Sequence, residues 1–274
     1  MLRDLLVHVE GGECGRQRVN LAVDLAERSG ARLSGLHVVP PVEIAPLYKP
    51  SQIDAALARR SSALAADARD ARQVFTDVAI ERVAGACWLE TEGDMVGSVS
   101  QWARFADLVI LGQGEWQEPP QRHPLPMAHQ VALRCGRPVL VVPSGVQSAA
   151  FAKVAVAWDG SREAVRAIHD ALPLLKAALT VHLITMIKRT DTGLDADVDD
   201  LLAHLSNHDI AVEADVQRVE AAEEHATLQR HINQGAYDLL VMGGYSHPMW
   251  MEFIFGGATR SALLSSDIPV LVSH

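Results

Sequence analysis

The chain carries one strand-and-turn pattern twice, at a spacing too long for anything but a duplicated domain. Asp107-Leu108-Val109-Ile110-Leu111-Gly112 recurs as Asp238-Leu239-Leu240-Val241-Met242-Gly243. Some two dozen residues after each copy comes a Pro-initiated apolar run, Pro138 to Val142 and Pro269 to Val272. The openings match as well: Leu5-Leu6-Val7-His8-Val9-Glu10-Gly11-Gly12 and Val154-Ala155-Val156-Ala157-Trp158-Asp159-Gly160-Ser161 both run from apolar strand to acid to glycine. Solenoid repeats have periods of 20 to 50 residues, so this period marks whole domains.

A length of 274 residues accommodates two domains that each bury a core. We expect them at residues 1–146 and 151–274, with the small, polar stretch Ser144 to Ala150 between them. Lys and Arg number 24 against 34 Asp and Glu, a formal charge of -10 that repels a polyphosphate backbone, so nucleic acid is set aside as a partner. Cys14, Cys87 and Cys135 are odd in number and lack CxxC spacing, which indicates neither a disulfide framework nor a zinc site. Met1-Leu2-Arg3-Asp4 runs straight into a strand, and no stretch approaches 18 uncharged apolar residues. The expectation is a soluble cytoplasmic protein with no membrane partner.

Short apolar runs alternate with segments of helical period, the pattern of a parallel sheet with crossover helices. Strands are expected near Leu5 to Val9, Arg32 to Val39, Ala86 to Thr91, Asp107 to Gly112 and Pro138 to Val142. In the second half they fall near Lys153 to Trp158, Thr180 to Met186, Ala211 to Val219, Asp238 to Gly243 and Pro269 to Ser273. Helices are expected to begin near Ser161, Leu194, Ala222 and Gly257. A long helix follows Ser51, with Ile53, Leu57, Leu64, Ala68, Ala71, Phe75 and Val78 on one face, a break near Phe75 and Gly85 as its C-cap. The fold class is α/β: two flavodoxin-like domains, each a five-stranded parallel sheet of order 3-2-1-4-5 with helices on both faces. The last strands are apolar edges, and unpaired edges are a liability. They are expected to pair antiparallel with each other, giving an intramolecular pseudo-dimer, as the family resemblance described below implies.

In such a sheet ligands bind at the carboxyl ends of the strands, where the strand order reverses. The first strand of the second half ends at Ala157-Trp158-Asp159-Gly160-Ser161 and its fourth at Met242-Gly243-Gly244-Tyr245-Ser246, so both ends should face one pocket. After Ser246 come nine residues, His247 to Phe255, and then Gly256-Gly257-Ala258-Thr259 at a helix start. Glycines there let backbone N–H groups approach an anion, the helix dipole favours negative charge, and Thr259 adds a hydroxyl. The outline is that of a phosphate cradle. Asp159 as a plain helix cap and Gly256-Gly257 as a packing turn are the competing readings.

These residues resemble the universal stress protein family in its tandem form, whose fold is that of the adenine nucleotide alpha hydrolases. The resemblance implies an acid after the first strand and Gly-x-x-Gly, nine residues, Gly-Ser/Thr after the fourth. The second half supplies Asp159, Gly243 and Gly256 at that spacing, with Ser246 at the second glycine and Gly257 at the first hydroxyl position, where Thr259 compensates. It implies ATP or AMP, with or without Mg2+, bound by Ala157, Asp159, Met242, Gly243, Ser246, Gly256, Gly257, Ala258 and Thr259, and a stress-linked regulatory role. The first half carries Glu10 in place of the Asp, then Glu115, Glu118, Pro119, Pro120, Pro124 and Pro126 where a cradle would stand. Carboxylates repel a triphosphate and Pro lacks the N–H donor it needs. At most one nucleotide per chain is expected.

Residues 243–259 contain no Lys or Arg, and the chain has no GxSxG, no HExxH and no Walker lysine. Phosphoryl transfer would thus lack its cationic clamp. A scaffold that binds no nucleotide, and a slow Mg2+-assisted nucleotide hydrolase, are the alternatives. His204 and His208 have the i, i+4 spacing of metal ligands, but with no third ligand nearby they read as solvated histidines and no metal is expected. The apolar segment with Met249, Trp250, Met251, Phe253, Ile254 and Phe255 reads as a lid, a docking patch for a homodimer, or a buried surface.

Overall fold

The computed structural model describes residues 1–42, 50–114, 127–188, 194–219, 230–232, 234–244 and 266–274. They form two compact units: residues 2–112 with 144–149, and residues 113–143 with 150–274 and Met1.

The first unit is built on strands β1 (Asp4–His8), β2 (Arg32–Val39), β3 (Cys87–Glu92) and β4 (Leu108–Gly112) in the spatial order β3-β2-β1-β4. All are parallel, β1 pairing Val7 with Gly35 on one side and with Ile110 on the other. Parallel strands covered on both faces read as unbroken apolar runs, and β1 and β4 are buried over nearly their whole length. Helix α1 (Gly12–Ser29) ends on Gly30, whose left-handed φ of 65° lets its N–H reach the Ala26 carbonyl. Helix α2 (Pro50–Phe75) runs for 26 residues and then widens into a π-helical turn, Thr76–Ile80, where the break was expected. The C-cap assignment is corrected: the turn ends at Glu81, and Gly85, at φ 82°, bends the chain into β3 instead. The extra residue of the π turn carries helical winding past the point that strict periodicity marks. Helix α3 (Met95–Ala103) opens on Asp94, whose side chain accepts from the Gly97 N–H at 2.9 Å.

The second unit contains α4 (Met127–Arg134), β5 (Val139–Val142), β6 (Lys153–Trp158), α5 (Arg162–Leu175), β7 (Thr180–Lys188), α6 (Leu194–Ser206), β8 (Val212–Val219), β9 (Leu239–Gly243) and β10 (Val270–Ser273). Its strands lie in the order β5-β10-β9-β6-β7-β8. The run β8-β7-β6-β9-β10 is parallel and is the 3-2-1-4-5 arrangement of the second half. The expected edge pairing forms: β5 and β10 are antiparallel, with Val141 opposite Val270 and Val139 opposite Val272. Every residue of both strands is buried, so neither leaves an open edge. The helix starts expected near Ala222 and Gly257 lie outside the described residues.

The duplicated aspartate performs one task in both halves. Asp107 Oδ2 accepts from the N–H groups of Arg3 (2.7 Å) and Asp4 (3.1 Å); Asp238 Oδ2 accepts from those of Ala152 (3.0 Å) and Lys153 (2.9 Å). Each carboxylate thus ties the start of the fourth strand to the start of the first, at the end of the sheet away from the crevice. Charge-assisted bonds of this kind are stronger than neutral ones.

Candidate functional site

The two crevices differ in what their own side chains leave open. In the first unit Arg18, on α1, turns back over the carboxyl ends of β1 and β4. Its guanidinium donates to the His8 carbonyl at 2.9 Å and to Glu10 Oε2 at 3.4 Å, and only 6% of the residue is exposed. It lies so close to the last residue of β4 that a Cβ on Gly112 would sit 2.3 Å from its terminal nitrogen. The switch point is therefore filled from within.

Around Arg18 the chain assembles a buried polar cluster. His8 is 1% exposed; its Nδ1 stands 3.4 Å from Glu10 Oε1, and neither ring nitrogen has a hydrogen-bond partner among the described residues. Burial pushes the His8 imidazole down to about 4, with Arg18 and His37 acting in the same sense and Glu10 opposing. Burial raises the Glu10 carboxyl, but the Arg18 guanidinium and His8 outweigh it and hold the group below its ordinary value. His37 Nδ1 pairs with the Val9 carbonyl at 2.9 Å, and its ring stacks on Trp88 with centroids 6.2 Å apart. None of this cluster was assigned from sequence. Arg18 looks like any polar residue on a helix face, and only the burial of α1 against β1 turns it inward.

In the second unit small residues take the same places. Counted without a gap from the equivalent pairs Val7–Ile110 and Val156–Val241, Ala157 corresponds to His8 and Ala167 to Arg18. Ala157 lies near the end of β6 and is half-buried, while Ala167 is fully buried on α5. Asp159 follows β6 directly; its Oδ1 accepts from the Ser161 N–H at 3.0 Å and from the Ser161 hydroxyl. Ser161 is itself the N-cap of α5, accepting from the Ala164 N–H at 3.1 Å. The capping reading of the acid is corrected in detail: Ser161 caps the helix, and Asp159 orients the cap.

Met242 is buried at the end of β9, and Gly243 follows it. A Cβ on Gly243 would lie 2.5 Å from the Ala164 nitrogen and 2.7 Å from the Glu163 carbonyl carbon, so the strand end abuts the first turn of α5. Ala157, Asp159, Met242 and Gly243 thus meet at one end of the sheet, as expected. Ser246, Gly256, Gly257, Ala258 and Thr259 lie outside the described residues, as does the Met249 to Phe255 segment. Among the described residues no helix is long and apolar enough to cross a membrane.

A doubly wound sheet repeated within one chain, with its crevice at the first and fourth strand ends, defines a tandem Rossmann-like α/β protein. The chain belongs to the universal stress protein family, which matches it twice, over residues 1–143 and 150–274. It is 29% identical over 173 residues to a universal stress protein of Synechocystis sp.. The aligned stretch spans 60% of this chain and 57% of that relative's length. The fold is similar to that of a universal stress protein from Archaeoglobus fulgidus, with a TM-score of 0.69 at 16% identity, covering 98% of this chain and 95% of that one. A protein described as a universal stress protein from Pseudomonas aeruginosa has a TM-score of 0.57 at 14% identity, covering 99% and 93%.

Proposed function

We propose that the protein is a cytoplasmic stress-linked regulator that binds one adenine nucleotide, ATP or AMP, in the crevice of its second half. The observation that carries the reading is the substitution of His8 and Arg18 by Ala157 and Ala167. The first crevice is filled by its own guanidinium, while the second keeps small side chains beside Asp159. Adenine and ribose would lie by the end of β6, near Ala157, Asp159 and Met242. The phosphates would meet the Gly256-Gly257-Ala258-Thr259 N–H groups, with Mg2+ as a companion of the triphosphate rather than a resident metal. A regulator is favoured over a hydrolase because the segment from 243 to 259 offers no cationic side chain to stabilise a transferring phosphoryl group.

A second reading has one observation in its favour. Gly243 is already required by its approach to α5, so its glycine alone is no mark of a nucleotide, and a scaffold without ligand accounts for it equally. Titration with ATP and Mg2+, following melting temperature and phosphate release, separates these readings: a shift without turnover is expected. Gly256→Val places a branched side chain where a phosphate must approach and should abolish that shift. Asp159→Ala should weaken binding by about 0.5–1.5 kcal/mol for each hydrogen bond lost. No saturable binding at millimolar ATP in the natural chain, with binding gained in Ser246→Gly, would establish the scaffold.

A further inference from the structure

The first unit carries an unguarded sheet edge beside an apolar groove. β3 is the outermost strand in the order β3-β2-β1-β4, and it pairs with β2 without a bulge, from Cys87 opposite Ser34 to Glu92 opposite Val39. Among the described residues no strand pairs with its other side. An edge of this kind presents outward N–H and C=O groups, a template for one more strand, and proteins usually guard it with lysine, proline, a bulge or extreme shortness. β3 has six residues, none of them Lys or Pro, and Cys87, Glu90 and Glu92 are exposed.

The two faces of that edge differ in chemistry, because successive strand residues point to opposite sides. On one side Cys87 and Leu89 line a cavity of about 200 Å³ together with Trp102, in the last turn of α3, and Phe105, just past its end. Phe105 is 77% exposed and Trp102 37%. Single exposed apolar residues are ordinary, whereas two aromatic rings bordering a groove beside an open edge make a contiguous patch. Arg32, the cation lining the groove, is already paired with Asp4. On the other side stand Trp88 and Glu90, the indole N–H donating to Glu90 Oε2 at 3.4 Å. Glu90, Glu92 and Asp94 give this stretch three negative charges, and residues 83–103 contain no Lys or Arg. Pairing with a second copy of β3 would set carboxylate against carboxylate, which is destabilising, so the charge selects a basic partner.

We propose that the outer edge of β3 and the Trp102–Phe105 groove dock an extended segment of a partner protein in which apolar residues alternate with Lys or Arg, added to the sheet as a further strand. Backbone hydrogen bonds supply the pairing, the apolar row enters the groove, and the basic row meets Glu90 and Glu92. Asp4, Arg32 and Cys87, which line the groove, are the first residues of β1, β2 and β3, so the groove opens at the end of the unit away from its own crevice.

The test is titration of the full-length protein with capped peptides of about eight residues, the length of an ordinary strand, followed by calorimetry, tryptophan fluorescence and hydrogen exchange. A peptide alternating Leu with Lys should bind one per chain, shift tryptophan emission to the blue and slow exchange within residues 87–92. Peptides alternating Leu with Glu, or Ser with Lys, should bind at least about tenfold more weakly, a difference of 1.4 kcal/mol. Phe105→Ser, at an exposed position where folding is not at stake, should weaken the Leu/Lys peptide by a similar factor. Glu92→Lys, also exposed, should weaken the Leu/Lys peptide and strengthen the Leu/Glu one. Equal affinity for the three peptides overturns the proposal, as do full affinity in Phe105→Ser, unchanged exchange within residues 87–92, and absence of saturable binding by the Leu/Lys peptide.

Discussion

Acidification should destabilise the protein through one imidazole before its carboxylates titrate. The unfolded chain takes up the His8 proton near pH 6.5, whereas the folded chain resists it until about pH 4. In between, the unfolded state holds more protons, so stability falls as pH falls; above pH 6.5 the neutral imidazole exacts nothing. The whole displacement corresponds to about 3 kcal/mol, and by linkage about 2 kcal/mol of it is lost between pH 8 and pH 5. Glu10 acts in the same direction, its lowered value adding stability that disappears only below the ordinary carboxylate range, so the upper window is free of its contribution. The groups facing His8 are Glu10 and Arg18, with His37 on the neighbouring strand. Urea unfolding at pH 8, 6.5 and 5, followed by circular dichroism and tryptophan fluorescence, should give the natural chain a steeper decline than His8→Leu. The comparison rests on slopes, so a constant packing penalty in the variant does not disturb it. Parallel declines in the two proteins would refute the assignment.

Four substitutions probe the duplicated framework. Asp238→Ala leaves the Ala152 and Lys153 N–H groups without their carboxylate and should cost about 1–3 kcal/mol in urea unfolding, with Asp107→Ala costing a similar amount because its geometry is the same. Asp238→Asn keeps an acceptor and should cost less; equal losses would show that the bonds do not matter. Gly243→Ala drives a methyl into the backbone of α5 and should cost about 1–3 kcal/mol in stability while weakening any nucleotide by shifting Asp159 and Ser161. A melting temperature within a degree of the natural protein's would show that the strand end and helix do not abut.

The strands were legible in sequence for a definite reason: β1, β4, β5, β9 and β10 are buried on both faces, so each is a short apolar run bounded by turns. The edges of β5 and β10 were legible as strands that need a partner, and the resemblance to tandem family members implied that they pair with each other. The repeated aspartate was visible as a repeat, but its purpose was not, because its donors lie over eighty residues away in one half and over a hundred in the other. Arg18 was missed because a lone arginine on an amphipathic helix gives no sign of turning inward. Gly85 was misjudged because periodicity cannot register a π turn. Of the crevice, Ala157, Asp159, Met242 and Gly243 were readable from strand ends, whereas the absence of an arginine at Ala167 gains meaning only beside the filled twin.

The antiparallel joint between β5 and β10 also sets a timetable for the nascent chain. Val141 leaves the ribosome about 130 residues before Val270, its partner in the pairing. At ordinary synthesis rates that is roughly 6 to 26 seconds during which Val139-Leu140-Val141-Val142 has no neighbour on that side. Helices form on far shorter times, so the wait for this seam is set by synthesis rather than by folding. Throughout the interval the segment is a short, uncharged, β-prone stretch open to any other strand, including the same stretch of a neighbouring polysome-borne chain.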